Sequence, residues 1–314
     1  MKKVLLATTA LVFSAGYAAA EVTISGSANM GFKYAEHGLA YTSESADPIT
    51  WKDTAGWYEI DMTVTGTMES DAGLTFGATI DLDSVYGNDN QNYGGTVFAS
   101  GAFGTFTMGN VDPVADDYGL TDIGFDGIGT DDVAELGNYS FGVKFLEGIS
   151  GVDLADVNFG VTADARWDYS VGAITLGASL DTVNEDYSIA AAYDFGIVKA
   201  ALAYSQDDLT DSDSTQFKLS GSQNGFGGEF FYATSDLADS WGIYGSYKTG
   251  ALTLEASYSE ADFDNALPPG LGGESIDAWG IGAKYDLGGG AKVAGGIGDL
   301  EGSTVADLGV TFSF

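Results

Sequence analysis

The side chains able to do chemistry in this 314-residue chain are overwhelmingly carboxylates: 46 Asp and Glu against 11 Lys and Arg and one His. They concentrate in the interval 111–163, which holds Asp112, Asp116, Asp117, Asp122, Asp126, Asp131, Asp132, Glu135, Glu147, Asp153 and Asp156, with Lys144 its only base. Ionised carboxylates are acceptors and hard oxygen ligands, so such an interval attracts cations and ligates calcium where several oxygens converge. Asp131, Asp132, Asp211 and Asp213 are the candidate calcium ligands, beside Asp207-Asp208 and Asn88-Asp89-Asn90. None of these fits the EF-hand pattern. Hydrated acids with diffuse counterions account for them equally well.

Composition excludes other chemistries. With a net charge of -35 the chain lacks the basic face that nucleic acid needs. Zero cysteine removes disulfides, thiol catalysis and cysteine-based zinc. A single histidine, His37, and no G-x-S-x-G elbow leave no serine hydrolase, so we expect no enzyme. Hydrophobic residues at 45% and aromatics at 13% argue against disorder.

The elements positioning these acids are strands. Val22, Ile24, Ala28, Met30, Phe32 and Tyr34 alternate with polar residues, as do Ala306, Leu308, Val310, Phe312 and Phe314. Period two puts one face in apolar and the other in polar surroundings. All four prolines fall between alternating runs, as a continuous ladder requires. The runs are 22–35, 55–68, 73–82, 95–100, 104–110, 164–171, 173–182, 187–194, 196–206, 214–223, 225–234, 240–248, 251–260, 275–287, 290–298 and 303–314, sixteen in all. Tight and long connections alternate. The segment 138–147 also alternates and could pair with 156–161, which would make eighteen strands.

Residues 1–20 read as a cleaved signal peptide: Lys2 and Lys3, an apolar Val4 to Phe13, then Ala18-Ala19-Ala20. Losing Lys2 and Lys3 from the 11 basic residues leaves 9 in the mature chain, 21–314. An exported, even-stranded antiparallel chain with short turns at one end and long loops at the other predicts an all-β transmembrane barrel in the outer membrane of a Gram-negative bacterium. Apolar side chains then face lipid and polar ones the lumen. Trp167, Tyr169, Tyr193, Trp241, Tyr247, Tyr258, Trp279 and Tyr285 fall on the outward face near strand ends, where aromatic girdles belong. The polar face carries Glu59, Asp61, Asp81, Asp164, Asp168, Asp181, Glu229, Glu255, Asp277, Asp286 and Asp307. Asp164, Arg166 and Asp168 alternate along one strand, with the arginine between two acids. A secreted adhesin is the competing reading, but no fixed internal period supports it.

The start EVTISGSANMGFKY (21–34), the hairpin GTVFASGAFGTFTMGN (95–110) and the end YDLGGGAKVAGGIGDLEGSTVADLGVTFSF (285–314) resemble the general diffusion porins of alphaproteobacteria. The resemblance implies a homotrimer of sixteen-stranded barrels. Its third external loop, here about 111–163, folds into the lumen, and small hydrophilic solutes and ions pass by passive diffusion. It also implies calcium in the loops, no required cofactor, and a terminal aromatic, Phe314, read during assembly; the excess of acids is self-repelling, and divalent ions at the external loops would relieve it and bridge to lipopolysaccharide. The loop acids Asp112, Asp116, Asp117, Asp122, Asp126, Asp131, Asp132 and Glu135 would then line the constriction. A charged lining sets ion preference, so cations should be favoured. The family places basic residues on the wall opposite that loop. Here the wall candidates are Lys33, Arg166, Lys199, Lys218 and Lys284, with Lys248 and Lys292, and Arg166 is the only arginine. Two other functions remain open: a solute-selective channel with a binding step, and a non-conducting barrel for adhesion or envelope anchoring.

Overall fold

The computed structural model describes residues 21–41, 50–85, 94–138, 161–263 and 275–314. Residues 1–20, where the signal peptide is expected, lie outside them, as do most of the segments that would supply a seventeenth and eighteenth strand. Sixteen antiparallel strands close into a barrel: β1 (Glu21–Tyr41), β2 (Thr50–Glu69), β3 (Thr75–Val85), β4 (Gly95–Gly101), β5 (Gly104–Gly109), β6 (Ala165–Val171), β7 (Ile174–Leu180), β8 (Tyr187–Asp194), β9 (Val198–Asp207), β10 (Ser212–Gln223), β11 (Phe226–Ser235), β12 (Ala238–Thr249), β13 (Leu252–Phe263), β14 (Ser275–Gly288), β15 (Ala291–Leu300) and β16 (Ser303–Ser313). β5 pairs directly with β6, from Thr105↔Asp168 to Met108↔Ala165, so no further pair of strands stands between them. β1 pairs with β16, and Gly26 and Phe314 exchange backbone bonds of 2.9 and 3.0 Å at that seam.

The alternation orients every strand. Phe32 is 66% exposed, Ile24 62% and Leu308 62%. These are the outward faces, and lipid rather than protein covers such side chains. All eight expected girdle aromatics lie on that face by register. The lumen side carries Ser, Thr, Gly and the charges. Two expectations need correction. Asp277 faces outward, because its partner Glu260 lies opposite the outward Trp241 and the lumen residue beside it is Ile276. The β1–β2 ladder also runs well past the alternating stretch, to Tyr41↔Thr50, since a hairpin extends on backbone bonds alone.

Strand length varies around the barrel. β4, β6 and β7 have 7 residues and β5 has 6, whereas β14 has 14. β5 is short because the chain leaves it at Asn110 to enter the lumen. Among the described residues, the buried apolar clusters lie where that chain meets the inner wall. Leu120, Ile123, Ile128 and Ala134 pack with Phe231, Ala233, Tyr244 and Val305, and Val133 and Leu136 pack with Ala261 and Ala278.

Candidate functional site

The third external loop leaves β5 into the lumen and runs along the inner wall. Its described parts are 110–138 and 161–163, and the first contains a 3₁₀ turn at Val114–Asp117 and one helical turn, α1 (Asp132–Glu135). It lies on the wall because the wall is built small beneath it. A β-carbon on Gly282 would come 2.5 Å from Ile123 Cγ2, and one on Gly309 2.6 Å from Phe125 Cγ. Into these hollows go Ile123, Phe125 and Ile128. Each buried side chain of this size contributes ~1.5–3 kcal/mol.

A loop inside a barrel must still satisfy its backbone. The wall does so with acceptors and donors. Asp307 on β16 accepts the N–H groups of Phe125 and Asp126 at 2.8 and 3.2 Å. Glu229 on β11 accepts Thr121 N–H at 3.1 Å and its hydroxyl at 2.9 Å. Ser179 accepts Val114 N–H at 3.1 Å, and Ser240 accepts Gly137 N–H at 2.8 Å. Ser259 donates to the Thr130 carbonyl. The polar face of the sequence thus serves largely to hold the loop.

The wall bases lie beneath the loop: Lys33 and Arg166 pair with its acids, and Lys218 and Lys284 with acids of the wall. Lys33 on β1 pairs with Asp126 and lies 4.4 Å over the Trp57 ring. Arg166 on β6 pairs with Asp117 at 2.5 Å and Asp168 at 2.9 Å. Asp164, expected as its second flank, instead accepts Thr182 N–H at 3.1 Å. Lys218 on β10 pairs with Glu229 and Lys284 on β14 with Glu255, both at 3.1 Å. These four cations make all five ion pairs among the described residues. Lys199 stands apart at the turn end of β9, opposite Asp194. A basic cluster facing the loop across the pore is therefore not what these four residues form.

The loop acids divide into two groups. Asp112, Asp116, Asp117 and Asp122 are exposed, and Asp126 is held by Lys33 and by Asn29 at 2.5 Å. Asp131 is 3% exposed and presents no charge to the pore. Burial, then the nearby Asp122 and Asp132, pushes its carboxyl far above the carboxylate range. Burial also pushes Asp132 up to about 6 and Glu135 up to about 8, each helped by a neighbouring acid. Burial against the wall thus favours the neutral forms of Asp131 and Glu135, a correction to their expected place in a charged lining.

The calcium candidates of the sequence lie apart from one another, and Asn88, Asp89 and Asn90 lie outside the described residues. Asp131 and Asp132 join no convergent group of three acids with Asp211 and Asp213. Asp211 lies in the β9–β10 turn at φ 56°, and Asp213 faces outward and accepts the Tyr204 hydroxyl at 3.1 Å. Among the described residues the acids that converge are Asp61, Asp81 and Asp83, with ligand atoms within 4.8 Å of one another. They lie on the inner faces of β2 and β3, where Asp61 is opposite Asp83 and Thr63 opposite Asp81. Asp83 escaped the sequence reading, although Asp81 and Asp83 already alternate in TIDLDSV. Asp61 lies one inward step from Glu59, whose neighbour Asn29 bonds the loop's Asp126, so the group stands close to the level of the loop.

Comparison with known proteins agrees with this geometry. The model of a family described as Gram-negative porin matches residues 7–305. The porin of Fuscovulum blasticum is 29% identical over 308 residues, covering 90% of this chain and 98% of that protein. The porin of Rhodobacter capsulatus is 28% identical over 345 residues, covering 94% and 100%. Among solved structures, a mutant of the Rh. blastica porin superposes with a TM-score of 0.69 at 23% identity, covering 93% of this chain and all of that one. The barrel, its inward loop and the match along nearly the whole length place the chain in the Gram-negative porin family, as an outer-membrane channel for passive diffusion of small hydrophilic solutes.

Proposed function

We propose that this porin prefers cations, and that its selectivity comes from an acidic gap faced by no unpaired central base among the described residues. The observation that carries the reading is where free charge lies. On the loop, Asp112 and Asp122 are exposed and make no ion pair among the described residues. Asp61, Asp81 and Asp83 line the wall of β2 and β3, while the four central cations are already paired. Fixed carboxylates at a constriction raise the local cation concentration and repel anions. Solutes pass unmodified, without a cofactor or chemical step. Reversal potential of the purified channel in a planar bilayer under a KCl gradient tests this. A cation-selective value is expected, and an anion-selective one refutes it.

The assembly we propose is a homotrimer. β4 to β7 support it: at ~3.3 Å per residue and ~45° tilt, a strand of 6 or 7 residues rises only about 15 Å against a hydrocarbon core of about 25–30 Å. A neighbouring subunit covering this low wall removes the mismatch. Residues 1–20 are then the cleaved export signal, and the acidic external rim meets lipopolysaccharide. Sedimentation in detergent and mass determination of the mature chain check both statements: a monomer, or retained residues 1–20, counts against them.

A further inference from the structure

We propose that Lys33, Arg166, Lys218 and Lys284 are positioning residues, which hold the third loop against the wall and so set the width of the pore. The inference rests on the reading of that loop as the constriction. Each of the four cations does two things at once. It pairs with a carboxylate, and it donates to a backbone carbonyl of the loop. Arg166 reaches the Asp112 carbonyl at 3.3 Å, Lys218 the Gly119 carbonyl, Lys284 the Asp122 carbonyl at 2.9 Å, and Lys33 the Asp126 carbonyl at 3.3 Å.

The order is the same along the loop and around the barrel. Carbonyls 112, 119, 122 and 126 are taken in turn by β6, β10, β14 and β1. The loop is thus pinned at four points along fifteen residues, on a path that follows the circumference of the wall. Backbone carbonyls are the receivers, so the hold depends on the loop's course more than on its side chains. An ammonium whose charge served to select ions would face the water gap without a partner. These four are partnered on both sides: the side chains of Lys33, Arg166 and Lys218 are 17–18% exposed, and Lys284's is 27%. Lys199 supplies the contrast, since its ammonium has no ion pair among the described residues.

The two roles predict different signs. Removing a selecting cation makes the pore more cation-selective and leaves its width alone. Removing an anchor frees the loop and widens the pore to neutral solutes, which carry no charge for selection to act on. Liposome swelling with neutral sugars of increasing size reads width directly. Lys218→Met with Lys284→Met is expected to raise the swelling rate for a disaccharide severalfold over the wild type, and each single change by less. Lys199→Gln is expected to leave the size cut-off in place. Heat-modifiable mobility on gels confirms that each barrel has folded. Should the double variant fail to fold, the two single variants carry the test.

A second set of variants ties the effect to the loop. The Thr130 and Ser257 hydroxyls lie 3.2 Å apart across the loop–wall contact, and the chain has no cysteine of its own. Thr130→Cys with Ser257→Cys, oxidised by diamide in the double-lysine background, is expected to return the cut-off to the wild-type value, and reduction to release it again. In the otherwise wild-type chain, Asp122→Trp narrows the pore if the loop is the constriction. If Asp122→Trp leaves swelling unchanged, the constriction reading itself fails. If it slows swelling while the lysine variants keep the wild-type cut-off, the constriction stands and the anchoring role is overturned.

Discussion

The carboxylate of Glu135 accepts the amide N–H of Leu120 at 2.9 Å, closing the two halves of the docked loop on one another. Burial raises Glu135 to about 8, chiefly through desolvation and secondarily through Asp132, while the Leu120 bond pulls the other way. A group whose docked pKa lies above its free value of 4.5 favours docking fully below 4.5. That contribution is lost as pH rises toward 8. Asp132, raised to about 6, acts in the same direction over the lower part of the window. Open-channel noise in single-channel records is therefore expected to increase from pH 5 to pH 9. Glu135→Gln keeps an acceptor for the Leu120 N–H without the ionisation, and should reduce the increase severalfold. An equal rise in the variant would assign the titration elsewhere.

Selectivity separates the exposed acids from the buried ones. Asp61, Asp81 and Asp83 converge on the lumen side of β2 and β3, whereas Asp131 is buried between the loop and the wall. Changing the first three together to Asn should cut the cation-to-anion permeability ratio by about 3–10-fold, roughly the effect of ~0.7–1.4 kcal/mol of lost attraction. Changing Asp131 and Asp132 to Asn should move the reversal potential far less. Its larger effect should be on the pH response of the loop. A reversal potential governed by the Asp131 and Asp132 pair would show that these two acids of the docked helical turn reach the pore.

The contrast between Asp112 and Asp131 marks the limit of what the sequence discloses. Period two located the strands, their inward faces and the long acidic interval after β5, because a ladder imposes that period on neighbouring residues. Within the interval Asp112 and Asp131 are indistinguishable, since their fates depend on contacts with strands far away in the sequence. One signal was present. Gly31, Gly242, Gly280, Gly282, Gly296, Gly298 and Gly309 occupy inward positions where polar side chains would otherwise stand. A run of missing side chains on one wall means that something else fills the space. The roles of Lys218 and Lys284 were similarly hidden: alternation put them inward but could not tell a charge facing water from one pinned under a loop.

That glycine surface is itself testable. A methyl on Gly282 would collide with Ile123, and one on Gly309 with Phe125. Overpacking of this kind costs ~1–3 kcal/mol where the neighbour cannot move. Gly282→Ala should destabilise loop docking, visible as a raised swelling rate for larger sugars. Adding Ile123→Ala should recover part of the loss, because the smaller side chain leaves room for the new methyl. A double variant no better than the sum of its singles would mean that the two residues do not share that space.

The low wall offers the sharpest test of assembly. Phe106 on the 6-residue β5 and Ile281 on the 14-residue β14 are both outward and about half exposed, at 43% and 52%. In lipid, arginine at either position would cost a barrel ~2–4 kcal/mol at the midplane. In a trimer they differ, because β5 is too short to meet the hydrocarbon core alone and lies against a neighbour. Phe106→Arg should give folded monomers, seen by sedimentation and by loss of three-step insertions in bilayers. Ile281→Arg should lower thermal stability and leave the trimer intact. Identical behaviour of the two variants would place both in lipid, and the short strands would then need another explanation than a subunit contact.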